Sequence, residues 1–108
     1  MGRLIRQTNG KIKSFHPPLF YEGLLKLMDN GIECYVNDMN REMVVYWGSG
    51  TSSGDVMDVR IEGLLGKHLS LYVRGPGQNR IREFEINVPD LELQSWKQDI
   101  LSSIRSHR

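Results

Sequence analysis

The sequence predicts an α+β fold: a single domain over residues 1–108, with a curved, mostly antiparallel sheet of about six strands and two amphipathic helices. The 108 residues suit one compact domain. Most of the chain divides into short runs in which apolar and polar residues alternate, a pattern typical of strands with one buried face. Two segments instead carry apolar residues at helical spacing. Their positions give the element order β-β-α-β-β-β-β-β-α.

The chain begins with a predicted β-hairpin, RLIRQTNGKIKSF. Asn9-Gly10 supplies the two positive-φ positions of a type I′ turn. This turn would place Arg6 opposite Lys13, and two cations that face each other across a hairpin are mildly unfavourable. We therefore expect water or an acidic partner to screen them, and the acidic middle of the chain is a candidate for that partner.

The next segment, HPPLFYEGLLKLMDNG, predicts a helix. Pro17 and Pro18 suit a helix start, where a missing N–H costs nothing, and Gly31 suits the position just after the end. Gly23 inside the helix costs about 1 kcal/mol relative to alanine, which suggests that another element packs closely there. The predicted buried stripe consists of Phe20, Leu24, Leu27 and Met28.

Two short runs, IECYV and EMVVYW, predict the next strands. Ile32, Cys34 and Val36 alternate with polar residues and face inward, so Cys34 acts as a small hydrophobe. No cationic or histidine-bearing setting marks Cys34 as a reactive thiol. The second run is apolar on both faces, which is typical of a central or doubly covered strand.

The glycine- and serine-rich stretch WGSGTSSGD, residues 47–55, does not match a phosphate-binding loop. Its glycines lack the required spacing, and Asp55 stands where such a loop needs lysine. We expect an exposed, mobile connection between strands. Trp47 at its edge is a core residue if it is buried, and the first place to look for a partner if it is exposed.

The remaining segments predict one more strand, a long hairpin and a final helix. In VMDVRIEGL, Met57, Val59 and Ile61 face inward. The hairpin HLSLYVRGPGQNRIREFEINV has a type II turn at Pro76-Gly77. Asp90 is the expected N-cap of the helix. The inward residues of the hairpin and the helix are Leu69, Leu71, Val73, Phe84, Ile86, Val88, Leu93, Trp96, Ile100 and Ile104.

Composition and charge exclude several classes of protein. The chain has one cysteine and no apolar run long enough for a signal peptide or a membrane span, so we expect a cytoplasmic protein without a membrane partner. The net charge is only +1, far from that of a dedicated nucleic-acid binder. The charge is uneven, however, because residues 1–16 hold four cations and no acid, whereas residues 17–47 are acidic.

No motif for catalysis, a cofactor or a metal is present in the sequence. The potential metal ligands His16, His68, His107 and Cys34 are not linked by any zinc-type spacing, so no metal site is expected. His68 is expected on the outer face of its strand. The Gly-x-Ser-x-Gly elbow is missing. We therefore expect a protein that is not an enzyme and has no cofactor, while a site assembled from distant acids stays open as an alternative.

The sequence favours a non-catalytic binding or inhibitory module that recognises a protein partner. One compact domain without a catalytic signature is also the profile of immunity proteins and phage-encoded inhibitors, an analogy of size and composition. Tyrosines and arginines are typical anchors in protein interfaces. The predicted partner-binding residues are Tyr35, Tyr46, Trp47, Tyr72, Arg74, Arg80 and Arg82.

Two readings of the basic residues accompany this prediction. The arginines at 74, 80 and 82 surround a glycine-flanked turn, and two alternatives stay open: a hairpin tip whose charges aid solubility, or a set of arginines that together hold one anion. The alternative function is a nucleic-acid-binding regulatory protein that uses this hairpin with the basic N-terminal segment. The N-terminal residues concerned are Arg3, Arg6, Lys11 and Lys13.

Overall fold

The computed structural model of the chain describes residues 3–15, 18–36, 41–47, 55–64, 66–75 and 81–106. Within these residues, seven strands precede a short 3-10 turn and one α-helix. The elements are β1 (Leu4–Phe15), β2 (Pro18–Met28), β3 (Gly31–Tyr35), β4 (Arg41–Tyr46), β5 (Asp55–Glu62), β6 (His68–Arg74), β7 (Ile81–Asn87), the 3-10 turn (Asp90–Glu92) and α1 (Leu93–Ser106). The strands form one sheet in the order β4-β3-β2-β1-β7-β6-β5, antiparallel throughout.

The C-terminal helix covers one face of this sheet, as predicted. Its stripe of Leu93, Trp96, Ile100 and Ile104 is buried against the apolar sides of the strands. Ser103 of α1 accepts a hydrogen bond of 3.0 Å from the indole of Trp47, just after β4, while Leu101 and Ile104 face β5 across a cavity of about 280 Å³. Because α1 thus reaches both edges of the sheet, the sheet must curve around it.

The chain enters α1 through the 3-10 turn, and Asp90 forms no side-chain cap, in contrast to the predicted N-cap. Helical segments in the described residues are all too short or too polar to cross a membrane.

The predicted N-terminal hairpin is wrong, because residues 4–15 form one continuous strand. Gly63 is the only glycine with positive φ among the described residues, so Gly10 does not form a turn. Arg6 pairs with Leu27 of β2 rather than with Lys13. Lys13 in turn lies between Phe20 of β2 and Glu85 of β7, which removes the like-charge pair that the hairpin would have created.

The predicted first helix is also wrong, because its residues form β2. Leu25 and Leu27 are fully buried, two residues apart, whereas Phe20 is 53% exposed. The segment fits both a helical and an alternating pattern, and pairing with a long neighbouring strand decides between them. The structure therefore has seven strands and one α-helix in place of about six strands and two helices.

Two glycines that pair with each other lie where β7 begins to pair with β1 and where β3 stops pairing with β2. Gly10 of β1 pairs with Gly23 of β2. On one side β7 pairs with β1 only from Lys11 onward, and on the other side β3 pairs with β2 only from Leu24 onward. A Cβ atom on Gly10 would overlap the carbonyl oxygen of Asn87, and one on Gly23 would overlap that of Tyr35. Only glycine permits both close approaches.

The other strand predictions are partly confirmed, but β4, which was predicted to be central or covered on both faces, is a terminal strand of the sheet and not a central one. The inward residues expected in β3, β6 and β7 are buried, including Cys34. Met57 is 46% exposed because a bulge between Val56 and Asp58 turns Val56 inward instead. Val36 is also exposed, since β3 has already ended. The predicted loop between Trp47 and Asp55 and the Pro76-Gly77 turn lie outside the described residues.

Candidate functional site

The face of the sheet opposite α1, called here the outer face, carries polar and charged side chains in register across the strands. Strand alternation sends every second residue to this face. It includes Glu33 and Tyr35 of β3, Lys26 of β2, Lys11 and Lys13 of β1, Glu83 and Glu85 of β7, His68, Ser70 and Tyr72 of β6, and Arg60 and Glu62 of β5. This is the surface on which the predicted tyrosines lie.

The three tyrosines share the outer face but form two separate groups. The hydroxyls of Tyr35 and Tyr46 donate hydrogen bonds of 2.8 and 2.7 Å to the two carboxylate oxygens of Glu33. Tyr72 lies on β6 and donates to Glu62 at 3.0 and 3.1 Å. With about 4.8 Å between neighbouring strands, β3 and β6 are about 19 Å apart across the sheet. The tyrosines therefore cannot act as one compact patch.

Trp47 is a core residue and not part of an exposed site. Its side chain is only 7% exposed, and its indole N–H donates to the buried Ser103. The same hydroxyl contacts the carbonyl oxygen of Asp29 at the end of β2. Trp47 and Ser103 together therefore connect the end of β4 to α1 and to the β2–β3 turn.

The predicted arginine cluster is divided between the two faces. Arg74 is exposed on the outer face, opposite Ile81. Arg82 pairs with the buried Val73 and so points to the other face, where its guanidinium lies 4.9 Å from the ring of Phe84. Arg74 and Arg82 thus do not converge on one anion, and Arg80 lies outside the described residues.

The predicted basic N-terminal residues are divided as well. Arg6 lies on the helix-covered side and forms a 2.6 Å ion pair with Asp99 of α1. Lys11 and Lys13 lie on the outer face, and Lys13 is 3.6 Å from Glu85. Arg3 is exposed next to the first residue of β1. These four residues therefore do not form one continuous basic surface.

Residues 18–23, called here the β2 edge, are paired on one side only among the described residues. β3 ends at Tyr35, opposite Leu24, and no described strand pairs with the preceding part of β2 on that side. Phe20 is 53% exposed and Leu19 39% exposed. The ammonium of Lys13 lies 6.0 Å from the Phe20 ring centre. Sequence reasoning missed this edge because it placed the segment in a helix.

A groove of about 680 Å³ runs along the outer face beside the β2 edge. Its walls combine the exposed ring of Phe20 with cations, acids and amides. The lining residues are Asn9, Gly10, Lys11, Lys13, Phe20, Glu22, Gly23, Glu85, Asn87 and Val88.

A second cluster lies at the other end of the outer face. Ligand atoms of Glu62, His68 and Glu83 all lie within 4.8 Å of one another. Burial, the hydrogen bond to Glu62 and the charges of Glu83 and Glu62 raise the pKa of Tyr72 above its usual value. The cluster had no signal in local spacing, because its members come from three strands. Finding the cluster requires the register of β5 with β6 and that of β6 with β7.

No protein-family model matches the sequence, and no curated protein matches it significantly.

Proposed function

We propose that this protein is a non-catalytic binding module that takes up an extended segment of a partner protein as an additional strand along the β2 edge. The observation that carries the proposal is that, in the part of the chain that the structure describes, residues 18–23 are paired on one side only, while Leu19 and Phe20 are exposed. An unpaired strand offers backbone N–H and C=O groups to an incoming strand, and neighbouring side chains supply specificity.

The contrast with β4 and β5 supports this choice of edge. β4 and β5 are the two terminal strands of the sheet, and a bulge interrupts the pairing of each, in β4 between Arg41 and Met43 and in β5 at Met57. The outer face of β5 carries Asp58 and Arg60, joined by a 2.6 Å ion pair. Bulges and charges of this kind are common protection against unwanted strand addition. The β2 edge has no bulge and places three apolar residues, Leu19, Phe20 and Tyr21, in succession.

The side chains near the β2 edge favour an occupant with apolar and acidic residues. Lys11 and Lys13 of β1 stand opposite Glu22 and Phe20. An acidic residue in the occupant would be attracted to these cations, and an apolar one would cover the Phe20 ring. A second copy of the chain suits the edge less well, because it would bring only one acid, Glu22, and Pro18 has no N–H to donate.

The test uses a photo-crosslinking residue at position 20, with position 91 as the matched control because Leu91 is 98% exposed and lies outside the edge. The partner captured through position 20 is then purified and titrated against the F20K and L91K variants. We expect F20K to weaken binding about 30-fold, the effect of losing an interface anchor of about 2 kcal/mol. L91K should bind within twofold of the unaltered protein.

Other outcomes would contradict the proposal. Equal crosslinking from both positions, or equal loss of affinity in both variants, would show that the β2 edge is not the contact. Crosslinks only between copies of the chain would make the occupant a second copy. Binding of a fluorescent oligonucleotide that weakens steeply with salt and is lost on replacing Lys11 and Lys13 would favour the nucleic-acid alternative.

A further inference from the structure

The register of three neighbouring strands brings metal-ligand side chains together on the outer face, away from the β2 edge. Glu62 of β5 pairs with His68 of β6, and Tyr72 of β6 pairs with Glu83 of β7. Between these two rows lies Ser70, which is fully buried although its strand position faces outward. The side chains around Ser70 therefore form a close cover over it.

The members of this cluster are held in place by hydrogen bonds and an ion-pair contact with neighbouring side chains. Tyr72 donates to both oxygens of Glu62, and Ser70 donates to Glu83 at 3.2 Å. The imidazole Nε2 of His68 lies 3.4 Å from Glu85. Partners that orient the ligands in this way are a regular feature of metal sites in proteins. The ligand positions are thus fixed by side chains that do not themselves need to touch an ion.

The local charge balance leaves room for a cation. Two carboxylates, those of Glu62 and Glu83, belong to the cluster, and that of Glu85 lies beside it. Arg60 makes its short contact of 2.6 Å with Asp58 and reaches Glu62 only at 3.9 Å. Lys13 is 3.6 Å from Glu85, and Glu83 has no ion pair with any residue that the structure describes. If the cluster were only a set of ion pairs, the carboxylate of Glu83 would have no counter-charge among the residues that the structure describes.

We propose that Glu62, His68 and Glu83 bind one Zn²⁺ ion, which ties β5, β6 and β7 together. The three ligand atoms lie within 4.8 Å of one another, and two ligands of a tetrahedral zinc ion, each about 2.1 Å from it, are about 3.4 Å apart, so side-chain rotations that draw the ligand atoms together by up to about 1.4 Å would complete the site. One imidazole nitrogen and two carboxylates are a donor set that suits zinc, whereas Mg²⁺ and Ca²⁺ prefer oxygen alone. The proposal is independent of the β2 edge.

The experiment titrates ZnCl₂ into the tag-free, EDTA-treated protein by calorimetry, with thermal unfolding of each metal-free variant as a check on folding. We expect one ion per chain, and at least a tenfold loss of affinity in both H68Q and E83Q. E22Q is the matched control for E83Q, because Glu22 is an exposed carboxylate on the same face. H16Q and H107Q are the controls for H68Q, and all three controls should bind as the unaltered protein does.

Several results would overturn the proposal. Affinity unchanged in H68Q, or lost in H16Q or H107Q, would place the ion elsewhere. Displacement of Zn²⁺ by an equal concentration of Ca²⁺ would show that no imidazole takes part. No heat at 1:1 stoichiometry with millimolar Zn²⁺, in a protein that is folded by its thermal transition, would show that the cluster is an ion-pair network only.

Discussion

Replacement of Gly10 by alanine tests the central feature of the sheet, the two paired glycines at which β7 begins to pair with β1 and β3 stops pairing with β2. A Cβ atom at residue 10 would overlap the carbonyl oxygen of Asn87 and lie 2.9 Å from Cδ1 of Leu25. Leu25 is fully buried, and Asn87 is the last residue of β7, where the chain turns toward α1. Neither neighbour can move aside without disturbing the core or the strand pairing.

The size of the effect follows from this crowding. Inserting a carbon into a closely packed site costs up to about 3 kcal/mol, and a clash with backbone belongs at the upper end of that range. A chain of 108 residues has an unfolding entropy of about 0.23 kcal/mol/K near 60 °C, so this cost corresponds to a fall in Tm of about 13 °C. We expect G10A and G23A to show losses of this order.

Thermal unfolding followed by circular dichroism is the assay, and Gly66 provides the control. A Cβ at Gly66 would meet no atom within 4 Å, and its φ is not in the left-handed region. G66A should leave Tm unchanged or raise it slightly, because alanine restricts the unfolded chain. A fall of less than about 3 °C in G10A, or equal falls in G10A and G66A, would refute the argument that close backbone approach requires glycine here.

Three further predictions follow from the core and the outer face. In urea unfolding, L25A should lower the free energy of unfolding by about 2–5 kcal/mol and F20A by less than about 1 kcal/mol. The predicted helix would give the reverse order. Equal losses would contradict the strand assignment. S103A should lower the free energy of unfolding by about 1–3 kcal/mol in the same assay, because it leaves the buried Trp47 N–H without its acceptor. An unchanged urea midpoint would contradict this role of Ser103. The pKa of Tyr72 lies above its usual 10.0 in the folded protein, so the unfolded chain loses this proton at a lower pH. The free energy of unfolding should therefore keep this contribution in full below about pH 10 and lose it as the pH rises through the folded-state pKa. In Y72F the free energy of unfolding should fall less steeply with pH, and identical slopes would exclude Tyr72 as the cause.

The sequence predicted the second half of the fold much better than the first half. In β6, β7 and α1, apolar residues recur with one clear period, and all of the expected inward residues are buried. Residues 18–28 fit both an alternating pattern through Leu25 and Leu27 and a helical pattern through Leu24 and Leu27. The prolines at 17 and 18 and the glycine at 31 resemble helix ends. Asn9-Gly10 likewise has the composition of a tight turn. Only the long-range pairing of β1 with β2 removes these ambiguities, and local sequence contains no information on it.

The tyrosines lie on the outer face as the alternation predicted, whereas Trp47 is buried and Arg82 lies on the other face. Alternation placed Tyr35, Tyr72 and His68 on one face, and the structure has them there. The order of strands, which puts β2, β1 and β7 between the tyrosines, is a property of the whole sheet. Arg82 was assigned to the turn by its nearness in sequence to Arg74, although pairing with Val73 sends it to the other face.

The paired glycines also explain why an unprotected edge exists at all. At Gly23 the chain of β3 comes so close to β2 that its Tyr35 carbonyl occupies the space of a side chain, and β3 pairs no further along β2. At Gly10 the end of β7 makes the equivalent approach from the other side and then leads to α1. The two glycines therefore determine both where the chain turns to bury its core and where the β2 edge begins. A larger residue at 23 would shift the end of β3, so it should weaken partner binding as well as stability, whereas one at 10 should act mainly on stability.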